Sequence, residues 1–211
     1  MTAKLYCFGE SGNAYKAALT MTLAGYRWEP VFVDFFNGEA RSPEFRKLNP
    51  MGEIPVFEED GLMLTQSGVI QYHVAEKTGR FQGETPEERR EVLRWVLWDN
   101  NKMSSQGGPL RFMMNFIPPE KRPEGAIAWL NGRFQAALSV LDGHLEGREW
   151  MVGDAPTLAD LACCGYLFYT EPFGFDRAAR PHIDRWLDRI AALPGWKHPY
   201  DLMPGNPSDR A

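Results

Sequence analysis

Cysteine is scarce in this chain: Cys7, Cys163 and Cys164 are the 3 among 211 residues. They form no CxxC pair and no metal-ligand spacing, and the adjacent pair cannot readily bridge in ordinary geometry. A disulfide framework and a zinc centre are therefore both excluded as the organising principle. All three read as small core residues with reduced thiols. Basic runs are missing as well. Lys and Arg total 23 against 28 Asp and Glu, a net charge of −5, so the chain is poorly suited to nucleic-acid phosphates or an anionic membrane, and neither is an expected partner. No stretch approaches the ~20 apolar residues of a spanning helix, and MTAKLYCFGES holds no apolar segment of signal-peptide length, which makes the cytoplasm the expected location. His73, His144, His182 and His198 show no ligand spacing, so no metal site is expected. Internal repeats and low-complexity segments are also missing.

What is present is an ordinary globular composition, 44% hydrophobic and 24% charged, on a chain long enough for one large domain or two small ones. The first third alternates strand and helix signals. Lys4 to Phe8 is a strand candidate, and Ala14, Ala17, Ala18 and Met21 then repeat at helical spacing up to Gly25, a C-terminal stop. YRWEPVFVDF resumes strand character, and Pro30, lacking a donor, assigns that strand to a sheet edge. SPEFRKLNP reads as a short helix with Pro43 at its first position. IPVFEEDGLMLTQ reads as a hairpin turning at Asp60-Gly61. SGVIQYHVAEK is a helix with Ser67 as its cap. The order βαβαββα predicts a mixed sheet covered by helices.

After Thr85-Pro86 no strand pattern remains. EERREVLRWVLWDNNKM, AIAWLNGRFQAALSVLDGHL and PHIDRWLDRIAALPGW carry helical periodicity. TLAD, Thr157 to Asp160, fits a capping box opening the apolar helix LADLACCGYLFY. The polar C-terminal PGNPSDRA is expected to fray. The predicted domains are therefore 1–80, α/β, and 86–205, all-helical.

Three stretches of the first domain suit a negatively charged or peptide-like ligand. Ser11 opens a helix whose first backbone donors are unpaired. In NPMGEIP, Pro55 begins a strand and forces Ile54 to be extended. A cis bond there would turn the Ile54 main chain outward, where a peptide could pair with it as an added strand. Gln66-Ser67 opens another helix, where a hydroxyl and free donors suit a carboxylate. Together these features outline a thiol, a peptide backbone and an amino-acid head.

On these residues the sequence resembles the cytosolic glutathione transferases along nearly its whole length. ESGNAYKAAL is similar to the opening of the serine-using theta, delta and zeta classes, LNPMGEIPVF to the segment with a cis proline, LTQSGVIQYHVAE to the γ-glutamyl-binding signature, and PTLADLA to the second-domain capping box. The resemblance implies a thioredoxin-like first domain, an all-helical second domain, glutathione as co-substrate, a role in detoxification and a homodimer through the 67–77 helix and the helix after Pro86. It implies Ser11 as the catalytic residue and Asn13, Glu53, Ile54, Pro55, Gln66 and Ser67 as glutathione contacts. Glu53 stands where the family often has lysine, so Arg46 or Lys47 is left to offset its charge.

The implied chemistry is thiolate stabilisation. A free thiol has a pKa of about 8.5, and lowering it by ~2 units takes ~2.7 kcal/mol of preference for the anion. A hydroxyl hydrogen bond is of that order, which makes Ser11 a donor to sulfur rather than a nucleophile or a base. An apolar small-molecule electrophile is expected beside Phe8 and WDNNKMSSQGGPLRFMMNF, with Met103, Leu110, Phe112, Met113 and Phe116 around a glycine-broken segment. Plainer readings stand beside these: Ser11 as a simple cap, Asn13 as a turn former, and the Met and Phe residues as core. At the level of the whole protein, the alternative is a non-catalytic scaffold that carries apolar ligands or docks partners.

Overall fold

Fully buried Ala3, Leu5 and Cys7 alternate with half-buried Lys4 and Tyr6, giving strand β1 (Ala3–Cys7) two distinct faces. The computed structural model describes residues 2–205 and continues with α1 (Gly12–Ala24), whose Ala14, Ala17, Ala18 and Met21 are all fully buried. Gly25, at φ 71°, ends α1 by donating to Met21 and Thr22 carbonyls. Then come β2 (Trp28–Phe32), α2 (Pro43–Leu48), β3 (Val56–Glu59), β4 (Leu62–Thr65) and α3 (Ser67–Thr78). The strand order is β2-β1-β3-β4, with β1 and β2 parallel and the other pairs antiparallel. This is the predicted βαβαββα arrangement, a thioredoxin-like unit. Pro30 sits in the edge strand, where its missing N–H costs no ladder bond. Asp60 and Gly61 both take positive φ at the β3–β4 turn, as a two-residue hairpin requires.

One expectation about this unit changes. The cap of α3 is Gln66, not Ser67: the Gln66 carbonyl accepts the first helical bond from Ile70 N–H at 3.1 Å, so Ser67 is already the first helical residue. The first unit also reclaims the end of the chain. Among the described residues, 193–205 pack as one compact unit with the chain up to Gln82, and Gly83–Ala192 forms the second unit. The physical reason is a set of anchors. Gly9 N–H donates to Pro204 O at 2.6 Å, and the Tyr15 hydroxyl donates to Lys197 O at 2.9 Å. Of PGNPSDRA, residues 206–211, and with them most of the expected frayed tail, lie outside the described residues.

The second unit is helical throughout its described elements: α4 (Pro86–Trp98), a π-helical stretch (Asp99–Ser104), α5 (Ser105–Asn115), α6 (Glu124–His144), α7 (Leu158–Cys163) and α8 (Pro181–Ala191). The capping box at Thr85 and Glu88 starts α4. The segment expected to be broken by glycine is helical instead. Pro109, which has no N–H for the Ser105 carbonyl, stands inside α5, and a π-helical stretch leads directly into that helix. Gly107 serves packing: a Cβ there would lie 2.9 Å from the Phe134 ring of α6. The helix expected along LADLACCGYLFY stops after six residues at Cys163. Asp160, its buried third residue and the capping-box partner of Thr157, accepts from Thr157 N–H at 2.8 Å, Thr157 O–H at 3.1 Å, Met151 N–H at 2.9 Å and Trp186 Nε1–H at 2.8 Å. Among the described residues no helix is long and apolar enough to cross a membrane.

Candidate active site

The sheet register brings the three predicted stretches to one end of the first unit. Tyr6 pairs with Val56, and Val56 pairs with Thr65. The chain leaving β1 toward Ser11, the chain entering β3 through Pro55 and the chain leaving β4 toward Gln66 therefore all emerge at the same end of the sheet. Parallel pairing of Cys7 with Phe32 adds the exit of β2.

Ser11 is buried at the start of α1, with φ −86° and ψ 104°. Its Oγ accepts from Ala14 N–H at 3.1 Å. A hydroxyl that accepts from the helix still has its proton to donate, so capping and thiolate contact are compatible roles for one side chain. Asn13 Oδ1 accepts from the Lys16 ammonium at 3.1 Å, which holds the amide against its own helix. On β1, the Tyr6 hydroxyl donates to Glu58 at 2.8 Å. Burial, with Glu58 beside it, pushes the phenol pKa up. The protein supplies no reactive sulfur here, because burial pushes the Cys7 thiol up to about 12, while Cys163 and Cys164 are buried in the second unit.

The loop before β3 is built around Asn49, a buried residue to which its motif alone assigns no role. Its Nδ2 donates to Glu53 O at 2.7 Å, and its Oδ1 accepts from Met51 N–H at 3.1 Å. Gly52 takes φ 66°, and a Cβ there would meet the Ala40 carbonyl at 2.9 Å, so only glycine passes without displacement. Arg46 grips the same loop, with Nε on Arg41 O at 3.3 Å and an Nη on Pro50 O at 3.2 Å. It therefore binds carbonyls rather than Glu53. The Ile54–Pro55 bond is cis, and Ile54 lies just outside the ladder that starts at Val56.

Gln66 holds φ 69° and ψ 119°, a conformation that costs a non-glycine residue on the order of 1–3 kcal/mol and is characteristic of ligand clamps. Its Nε2 lies 3.4 Å from both Glu53 Oε2 and Met51 Sδ. No side chain caps α3, which leaves its first N–H groups uncapped beside the Ser67 hydroxyl, a chemistry that suits an anion. Glu53, Gln66 and Ser67 thus come together at one corner, with Ile54 and Pro55 on the adjoining loop.

The expected electrophile residues divide by burial. In the second unit Met103 and Leu110 are core residues, while Phe112, Met113 and Phe116 lie on the accessible side of the last turns of α5 and its end. In the first unit Phe8 lines a cleft of about 570 Å³ together with Glu10, Phe32, Asp34, Phe35 and Phe36. Phe35 and Phe36 were not among the residues expected here. Their signal was the run of aromatics leaving β2 at the sheet end already marked by Ser11.

The fold and the site define a class: a thioredoxin-like unit with a capping hydroxyl at one helix start and open donors at another, followed by an all-helical unit. The model of the glutathione S-transferase N-terminal domain matches residues 1–76, and that of the C-terminal domain matches residues 111–194. Glutathione S-transferase F10 of Arabidopsis thaliana is 32% identical over 200 residues, 88% of this chain and 90% of that protein. The disulfide-bond oxidoreductase YfcG of Escherichia coli is 29% identical over 89% of each chain. The crystal structure of a glutathione S-transferase from Xanthobacter autotrophicus Py2 superposes with a TM-score of 0.88 at 31% identity, covering 100% of both chains. The chain belongs to the glutathione S-transferase family, transferases whose co-substrate is glutathione.

Proposed function

We propose that this protein is a serine-type glutathione transferase, of the theta, delta and zeta kind, in which Ser11 donates a hydrogen bond to the sulfur of bound glutathione. The observation that carries the reading is the convergence of Ser11, the Ile54–Pro55 loop and Gln66-Ser67 at one end of the sheet. Glutathione lies there with its peptide along Ile54 and its γ-glutamyl carboxylate at the start of α3. Glu53, close to Gln66, faces the γ-glutamyl ammonium, so a carboxylate there is an asset at that end of the peptide. The donors at the start of α1 and the Ser11 hydroxyl stabilise the thiolate.

The thiolate attacks an electrophilic carbon. A C–S bond forms, the bond to the leaving group breaks, halide departs and the thiol proton passes to solvent. Conjugation and dehalogenation follow directly, and isomerisation uses the same thiolate as a reversible nucleophile. Detoxification in the cytoplasm is the matching physiological role. The likeness to YfcG favours a second reaction of the same site, glutathione-dependent disulfide reduction. Pairing as a homodimer through α3 and α4 is supported by apolar side chains left open in one chain: Val69 on α3 is 50% exposed, and Leu93 and Leu97 on α4 are 45% and 59% exposed.

The test is calorimetric titration of glutathione, followed by glutathione-dependent halide release from an aryl chloride. Binding with turnover is expected. Failure to bind glutathione overturns the reading in favour of a non-catalytic scaffold.

A further inference from the structure

The cleft at the exits of β1 and β2 combines aromatic faces with negative charge. Phe8 and Phe35 stack at 4.8 Å with 8° between their planes. Phe36 stands edge-on to both, at 5.8 Å and 87° from Phe8 and at 5.6 Å and 90° from Phe35. Phe32 and Phe36 are 49% and 37% exposed, so this corner is open to a ligand.

Its polar wall is acidic. Glu10 precedes Ser11 directly and lines the cleft. Asp34 lines it too, and its carboxylate is fixed as an acceptor by Asn37 N–H at 3.3 Å and Asn37 Nδ2 at 2.8 Å. Behind it, Glu39 accepts from Asp34 N–H at 2.6 Å. Among the described residues, no Lys or Arg lines this cleft. Aromatic faces carry negative potential and attract cations, and two carboxylates in a partly enclosed cleft add to that field. A volume of about 570 Å³ lies within the ordinary range for a small-molecule site.

We propose that this cleft holds the electrophile and selects it by charge. It takes neutral or cationic aryl electrophiles and rejects those bearing a carboxylate or sulfonate, with Glu10 and Asp34 as the specificity-determining residues. The inference rests on the transferase reading and deepens it. In the reaction the sulfur of glutathione bonds to the ring carbon, the carbon–chlorine bond breaks, chloride leaves and the thiol proton goes to solvent.

The experiment uses three amides of one chlorodinitrobenzoic acid, so that ring electronics are matched: N-ethyl, N-trimethylammonioethyl and N-carboxymethyl. Enzymic kcat/KM is corrected for the uncatalysed reaction with glutathione. The neutral and cationic amides are expected to exceed the anionic one by about tenfold at low salt, with the ratio falling as salt is raised. Glu10→Gln and, separately, Asp34→Asn are each expected to shrink the cationic-to-anionic ratio several-fold. Equal rates, or a preference for the anion, overturn the proposal while leaving the transferase reading intact.

Calorimetry with benzyltrimethylammonium and with phenylacetate, in the absence of glutathione, measures the same preference without turnover. Tighter binding of the cation, weakened in Asp34→Asn, supports the proposal, and no preference overturns it. Inertness toward all three amides counts against the transferase reading, and these binding data then decide the charge preference separately.

Discussion

Replacing Ser11 by glycine separates two roles held by one hydroxyl. As a cap, Oγ accepts from Ala14 N–H at 3.1 Å. Glycine at an N-cap costs only a few tenths of a kcal/mol relative to serine, whereas alanine costs about 1. As donor to a thiolate, the same hydroxyl makes a charge-assisted bond of about 1.5–3 kcal/mol, which corresponds to ~1–2 units in the pKa of bound glutathione. If the wild-type site lowers the thiol from about 8.5 by ~2 units, the glycine variant regains ~1–2 of them, and the thiolate fraction at neutral pH falls roughly three- to thirtyfold. The ultraviolet thiolate band of bound glutathione, followed across pH, reads the shift directly, and kcat/KM for an aryl chloride is expected to fall in parallel. Unfolding free energies from denaturant titration are expected to be nearly unchanged in Ser11→Gly and lowered by about 1 kcal/mol in Ser11→Ala. The reasoning is refuted if Ser11→Gly keeps the wild-type thiolate pKa. It is also refuted if activity follows stability, with alanine clearly worse than glycine, because the hydroxyl then acts only as a cap.

Gln66→Gly relieves a left-handed backbone, so we expect a stability gain of about 1 kcal/mol by denaturation together with weaker glutathione binding by calorimetry; a stability loss would count against strain held for binding. Asp160→Ala removes the shared acceptor of Thr157, Met151 and Trp186 and is expected to cost about 3–5 kcal/mol in the same denaturation assay, a loss under ~1 kcal/mol being incompatible with that account. His144 packs against Trp95 with its Nε2 2.8 Å from Met151 O, and burial, the leading cause, holds its pKa below the usual 6.5. The neutral ring therefore contributes stability that is present above pH 6.5 and is lost as pH falls through the depressed folded value. His144→Gln is expected to flatten that part of the stability profile, and an unchanged profile would rule the residue out as its source.

The first unit was legible because its cues are local and agree with one another. Alternation in β1, small apolar residues at helical spacing in α1, Pro30 on an edge and Asp60-Gly61 at a turn each point to the element that forms. The misreadings lie where a distant contact outweighs a local cue. The Gly107, Gly108 and Pro109 run signals a break, yet Gly107 is needed where the Phe134 ring comes closest, and the helix resumes. The short helix Pro199–Leu202 has no periodicity to read. What ties that end of the chain to the first unit is a bond between Gly9 and Pro204, nearly the whole sequence apart.

The same distinction applies to the site. Ser11, Pro55, Gln66 and Ser67 were legible because each sits at an element boundary, where sequence signals are strongest. Their convergence follows from strand register, which alternation alone does not fix. Glu10 shows the limit clearly. Its charge is plain in the sequence and looks unfavourable beside a thiolate, and only the neighbouring exit of β2 gives it a context. Phe35 and Phe36 arrive there because Phe32 pairs with Cys7, and Asp34 arrives with them. An isolated carboxylate near sulfur would oppose catalysis. A carboxylate in an aromatic cleft is a filter on the charge of the second substrate, so the residue least compatible with the thiol chemistry becomes the one most informative about what the thiolate attacks.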